Sequence, residues 1–83
     1  MTRYEKLFDR ILRGLSDKDI PFDELCSLLI RMGFDERMRG SHHLFSKPGI
    51  REMINLQKDG HLAKPYQIRQ VRNMMIHYKL EVK

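Results

Sequence analysis

Turn signals cut the middle of this chain into segments that are too short to form helices. They are Gly33, Gly40-Ser41, Lys47-Pro48-Gly49 and Lys58-Asp59-Gly60. The runs between them predict three short strands, over residues 34–39, 42–46 and 52–57. Because short turns join antiparallel neighbours, the sequence predicts a three-stranded antiparallel meander.

Apolar side chains at helical spacing flank this meander on both sides. One helix is predicted over residues 3–15, a second from Pro21 to Gly33, and a third from Pro65 to about Tyr78. Proline suits the first turn of a helix because the N–H group that it lacks has no helical partner there. The predicted fold class is therefore α+β, with the helices packed on one face of the sheet.

Charge is unevenly distributed along the chain, whose 83 residues predict a single domain over residues 1–83. The net charge is +5, and residues 36–83 carry ten basic and four acidic side chains. This part of the chain therefore favours acidic partners such as a phosphate backbone. The single cysteine, Cys26, excludes an intrachain disulfide and suits a cytoplasmic protein, and no apolar run is long enough to span a membrane.

Two adjacent histidines, His42 and His43, follow the Gly-Ser turn and open the second predicted strand. Histidine exchanges protons near neutral pH, so each imidazole is a candidate general acid or base. Adjacent strand residues point to opposite faces. Burying Phe45 places His43 inside and His42 outside, whereas the reverse register buries Leu44 and exposes His43. Phe45 has more apolar area to bury, which favours the first register.

The same alternation argues against a metal site formed by this pair, because histidines on opposite faces cannot readily bind one ion. His61 and His77 have no ligand spacing either. The sequence therefore predicts no metal and no cofactor. Histidines beside a turn are also common as plain polar surface, and that interpretation stays open.

Polar residues in two further segments are candidate RNA contacts. A helix start offers free backbone N–H groups, and basic or aromatic side chains beside it suit phosphates and stacked bases. The candidates there are Lys64, Tyr66, Arg69 and Arg72. The candidates near the histidines are Ser41, Lys47, Asn55 and Gln57. The competing interpretation is a solvated helix face and ordinary surface amides.

Three motifs in this order resemble a known family. They are Gly-Ser-His-His-Leu-Phe at residues 40–45, Ile-Asn-Leu-Gln at residues 54–57 and Ala-Lys-Pro-Tyr-Gln-Ile-Arg-Gln-Val-Arg at residues 63–72. Together with residues 20–25 and 32–34, they resemble the HicA toxins of bacterial and archaeal type II toxin–antitoxin systems. The resemblance covers residues 20–80 as the HicA-like core.

The resemblance implies a fold like the double-stranded RNA-binding domain. It also implies a metal-independent endoribonuclease that cleaves mRNA and halts translation. The implied partner is a HicB-type antitoxin, which binds and inhibits the toxin in a hetero-oligomer. The family's active histidine corresponds to His42, or to His43 in relatives whose spacing after the glycine is one residue longer.

The helical extension at residues 1–19 lies outside the compact members of this family. It either extends the antitoxin interface or covers the sheet, and the sequence does not choose. Two rival functions also stay open. One is a module that holds double-stranded RNA without cutting it, and the other is an interaction domain for an acidic protein.

Overall fold

A computed structural model describes residues 2–82, so Met1 and Lys83 of the predicted domain lie outside the described residues. The elements are α1 (Arg3–Arg13), α2 (Phe22–Arg31), β1 (Asp35–Arg39), β2 (His42–Ser46), β3 (Ile54–Leu56) and α3 (Pro65–Tyr78). The predicted α+β class and element order are confirmed. No helix within residues 2–82 combines the length and the apolar composition needed to cross a bilayer.

The three strands form one antiparallel sheet in the order β1-β2-β3. Gly40 occupies the first position of the two-residue loop between β1 and β2, with φ of 61°. Type II′ hairpin turns require a glycine with positive φ at that position. After β2, Gly49 has φ of 89° behind Pro48, and the Ile50 N–H donates to the Lys47 carbonyl at 3.1 Å. Both predicted turns are therefore confirmed.

The two faces of the sheet differ sharply in burial. Phe45, Ile54 and Leu56 point toward the helices and are fully buried. His42 and Asn55 point away from them and are exposed. The register that buries Phe45 is therefore the correct one. We call the sheet surface away from the helices the outer face. It is formed by the side chains of Asp35, Arg37, Arg39, His42, Leu44, Ser46, Asn55 and Gln57.

Several strands and helices are shorter than predicted, α2 and β3 at both ends. β3 pairs only over Ile54–Leu56, and the exposed residues 51–53 lie outside the ladder. Phe34 is buried but precedes β1, and its N–H donates to the Leu29 carbonyl at 3.0 Å. α1 ends at Arg13 because Gly14 adopts a left-handed conformation and its N–H caps the carbonyls of Arg10 and Ile11.

The N-terminal helix is an integral part of the core. Leu7 and Ile11 of α1 are buried in the same apolar cluster as the inward side chains of α2, α3 and the sheet. On α3, the Arg72 guanidinium donates to the Ile11 carbonyl at 2.7 Å and pairs with Asp17. α1 thus packs against α2 and α3.

The segment between β3 and α3 is fixed to the start of α2. The Phe22 N–H donates to the His61 carbonyl, and the Ala63 N–H donates to the Ile20 carbonyl, both at 2.9 Å. The sequence predicted only a loop here, because these partners lie about 40 residues away along the chain. The contacts hold the first turn of α3 beside the end of β3.

Candidate functional site

His42 stands on the outer face, at the beginning of β2. Its Nδ1 lies 2.9 Å from the side-chain oxygen Oδ1 of Asn55 on β3. An amide oxygen only accepts hydrogen bonds, so Nδ1 carries the hydrogen in this pair, and in the neutral ring Nε2 then keeps its lone pair. Asn55 therefore holds the exposed imidazole in the tautomer that a general base requires.

Ser41 and Gln57 brace the turn that precedes His42. The Gln57 Nε2 donates to the Ser41 Oγ at 2.9 Å. The backbone carbonyl of Gln57 accepts a hydrogen bond from the Nε2 of Gln67 on α3, at 3.2 Å. Gln67 also accepts from the Lys64 N–H at 3.1 Å and is fully buried. This chain of contacts joins the catalytic candidate to the first turn of α3.

Two arginines of β1 extend the outer face, and the sequence reasoning missed both. Arg39 pairs with His42 across the β1–β2 ladder, and Arg37 pairs with Leu44. Both side chains are exposed, and neither forms a salt bridge within residues 2–82. Strand alternation puts them on the same face as His42. A two-residue loop at Gly40-Ser41 pairs Arg39 with His42 and Arg37 with Leu44, and this register could have identified both arginines from the sequence.

His43 points to the inner side of the hairpin. Its Nδ1 lies 2.7 Å from the Glu36 Oε2 on β1, and its side chain is only 17% exposed. Its ring packs edge-on against the Phe22 ring of α2, with 4.8 Å between the ring centroids. The predicted inward position of His43 is therefore confirmed. The two histidines therefore serve different surfaces of the sheet.

Lys47 is not brought together with His42. It follows the opposite end of β2, about 17 Å away along an extended strand. There it lines a hollow with Tyr78 and Lys79, beyond the end of α3. At this distance, the predicted RNA contact Lys47 is not part of the site around His42.

The predicted contacts on α3 divide into an accessible and an inaccessible group. Tyr66 and Arg69 are exposed, and Lys64 is half-buried at the position before the helix. Arg72, in contrast, is committed to α1: its guanidinium donates to the Ile11 carbonyl and pairs with Asp17. The structure therefore corrects the predicted role of Arg72, because an internally bonded guanidinium is not available to a phosphate.

We expect the matched substitutions Arg72→Gln and Arg69→Gln to separate these two groups. Arg72→Gln should lower the free energy of unfolding by about 1.5–3 kcal/mol, because charged hydrogen bonds between α3 and α1 are lost. Arg69→Gln should change it by less than about 0.5 kcal/mol, because the side chain is exposed. Urea denaturation measures both. Equal effects would contradict the internal role of Arg72.

Comparisons with known proteins add no further assignment. No protein-family model matches the chain, and searches of curated proteins and of solved structures return no match. The functional interpretation therefore depends on the chemistry of the outer face and on the sequence motifs.

Proposed function

We propose that this protein is a HicA-type toxin, a metal-independent endoribonuclease that cleaves mRNA. The observation that carries the proposal is the exposed imidazole of His42, oriented by Asn55 on the outer face. The resemblance of residues 40–45, 54–57 and 63–72 to HicA toxins gives the class of reaction. The order α2-β1-β2-β3-α3 agrees with the double-stranded RNA-binding-domain-like fold that this resemblance implies.

The proposed reaction is a transfer of the phosphodiester to the neighbouring ribose oxygen. The Nε2 lone pair of His42 removes the proton of a 2′-hydroxyl, and the 2′-oxygen then attacks the adjacent phosphorus. The bond between phosphorus and the 5′-oxygen breaks. The products are a 2′,3′-cyclic phosphate and a 5′-hydroxyl, so no metal-bound water is required.

The departing 5′-oxygen also needs a proton. His43 lies on the inner side of the hairpin and Lys47 lies at the far end of β2, so neither is beside His42. Water therefore supplies this proton in the proposed mechanism. A single positioned imidazole accelerates the reaction less than a paired acid and base.

Positively charged side chains on the outer face would bind the phosphates of the RNA substrate. Arg39 is the cross-strand neighbour of His42, and it is placed to stabilise the charge that develops on the phosphate oxygens. Arg37 lies two residues before Arg39 in β1, on the same face, and contacts a neighbouring phosphate in this proposal. Gln67, in the first turn of α3, is bonded to Gln57, and the exposed Tyr66 and half-buried Lys64 at this end of α3 are proposed as further RNA contacts.

The resemblance also supplies the proposed partner, a HicB-type antitoxin that binds this chain and blocks it. The cationic half of the chain, residues 36–83, favours an acidic partner surface, which would compete with RNA. The toxin and antitoxin would then form a hetero-oligomer in the cytoplasm.

Incubation of the purified protein with labelled RNA in EDTA tests the proposal. We expect the RNA to become shorter, because the imidazole performs the proton transfer without a metal ion. A protein that shifts duplex RNA on a gel and leaves its length unchanged would instead be the non-catalytic RNA-binding module. Salt-sensitive association with a protein, without RNA affinity, would contradict both interpretations.

A further inference from the structure

The inner side of the hairpin brings together three side chains of different chemistry. Cys26 comes from α2, Glu36 from β1 and His43 from β2. The sulfur, a carboxylate oxygen and an imidazole nitrogen all lie within 4.8 Å of one another. His43 and Cys26 are partly buried, and Glu36 stands at the exposed edge of the sheet.

We propose that Cys26, Glu36 and His43 bind a zinc ion. Thiolate sulfur, imidazole nitrogen and carboxylate oxygen are the protein ligands that zinc accepts. The three residues come from three elements, so the ion would join α2 to the β1–β2 hairpin. A water molecule would complete the tetrahedral coordination, since three protein ligands are available.

The geometry needs only small movements to accept the ion. Zinc bonds of about 2.0–2.3 Å place tetrahedral donor atoms roughly 3.3–3.8 Å apart. The Glu36 Oε2 and the His43 Nδ1, now 2.7 Å apart, would separate by about 1 Å around the ion. Glu36 lies on an exposed strand, so its side chain is free to make that adjustment.

The local charge also suits a divalent cation. Burial and the carboxylates of Glu36 and Asp23 disfavour a bare thiolate at Cys26, and Lys58 opposes them only in part. A zinc ion reverses this balance and stabilises the thiolate directly. The sulfur–hydrogen bond gives way to a sulfur–zinc bond, and the proton passes to solvent. The His43 imidazole stays neutral by carrying its hydrogen on Nε2.

The ion would support the hairpin rather than cleave RNA. All five residues of β1 are exposed, so this edge strand has no apolar side chain that fixes it to the helices. A zinc ion bound by Glu36, His43 and Cys26 would connect the hairpin to α2. The zinc site and His42 lie on opposite faces of β2, so metal-free cleavage at His42 is a separate property.

Cobalt(II) titration of EDTA-treated, tag-free protein tests the site. We expect one equivalent to produce the near-ultraviolet thiolate-to-cobalt absorption and the visible bands of tetrahedral cobalt, and zinc to displace both. At a zinc concentration a hundredfold above the dissociation constant, the melting temperature should rise by about 10 °C or more. Folded protein that gives no thiolate-to-cobalt absorption would overturn the proposal.

Matched variants identify the ligands. Cys26→Ser should abolish the thiolate-to-cobalt absorption, and Glu36→Gln, on an exposed strand, should weaken cobalt binding at least about tenfold with the fold intact. His42→Gln and His61→Gln, both exposed histidines, should bind cobalt like the parent protein. Unchanged thiolate-to-cobalt absorption in Cys26→Ser would contradict this site. A loss of cobalt binding in either histidine control as large as the loss in Glu36→Gln would also contradict it. The readout is metal binding, so its failure leaves the RNA-cleavage proposal untouched, and the reverse also holds.

Discussion

His42→Ala should slow RNA cleavage by about a hundredfold to ten-thousandfold, which is the usual contribution of a positioned acid or base. The exposed imidazole contributes little to packing, so the free energy of unfolding should change by less than about 1 kcal/mol. Cleavage rates of equal concentrations of the two folded proteins, in EDTA, give the measurement. If the proposed function holds, expression of the parent protein in bacteria should arrest growth, and expression of the variant should not.

His61→Ala is the matched control for this substitution. His61 is also an exposed histidine in the basic half of the chain, but it lies in the segment between β3 and α3. Its side chain has no part in the proposed reaction, so cleavage should proceed at the parental rate. Parental cleavage by His42→Ala would remove the catalytic role of His42. If His42→Ala lost activity because the protein unfolded, the result would contradict a purely chemical role for His42.

Phe45→Ala should have the largest effect on stability. The ring is fully buried in the cluster that joins the sheet to the helices. Removing a buried phenylalanine ring typically costs about 3–5 kcal/mol through lost burial and the cavity left behind. A chain of 83 residues has a free energy of unfolding of about 4–12 kcal/mol, so this substitution should remove between about a quarter and all of it. Urea denaturation and thermal melting measure the loss.

Leu44→Ala tests the same register from the other face. Leu44 is half-exposed on the outer face, so its truncation should cost less than about 1.5 kcal/mol. The register that buries Phe45 is also the one that exposes His42. A Leu44 variant that is destabilised as much as the Phe45 variant would therefore contradict both the packing of β2 and the accessibility of the imidazole.

Local signals in the sequence were sufficient for the order of the elements. Gly40 and Pro48-Gly49 specify turns through their own backbone preferences, and the spacing of apolar residues specifies the helices. The length of β3 was not predictable in the same way. Its pairing with β2 runs only from Leu56 opposite His43 to Ile54 opposite Phe45, although β2 continues to Ser46, and such an end depends on a neighbouring strand and not on a local pattern.

The candidate site was predicted only in part, for related reasons. His42 and Asn55 follow from strand alternation once Phe45 is buried. Arg37 and Arg39 were missed because β1 is exposed throughout, so no buried face of its own indicated its register. The pairing of Arg72 with Asp17 spans 55 residues, and no local pattern announces such a contact.

The chemical identity of the new RNA ends is the most direct test of the central claim, that the His42 imidazole activates a ribose hydroxyl. RNA cut by the purified protein in EDTA should carry a 2′,3′-cyclic phosphate at one new end and a 5′-hydroxyl at the other. Replacing the 2′-hydroxyl at the mapped cleavage position by hydrogen should stop the cut at that position. Fragments with 5′-phosphate ends, or cleavage that survives the loss of the 2′-hydroxyl, would contradict the mechanism.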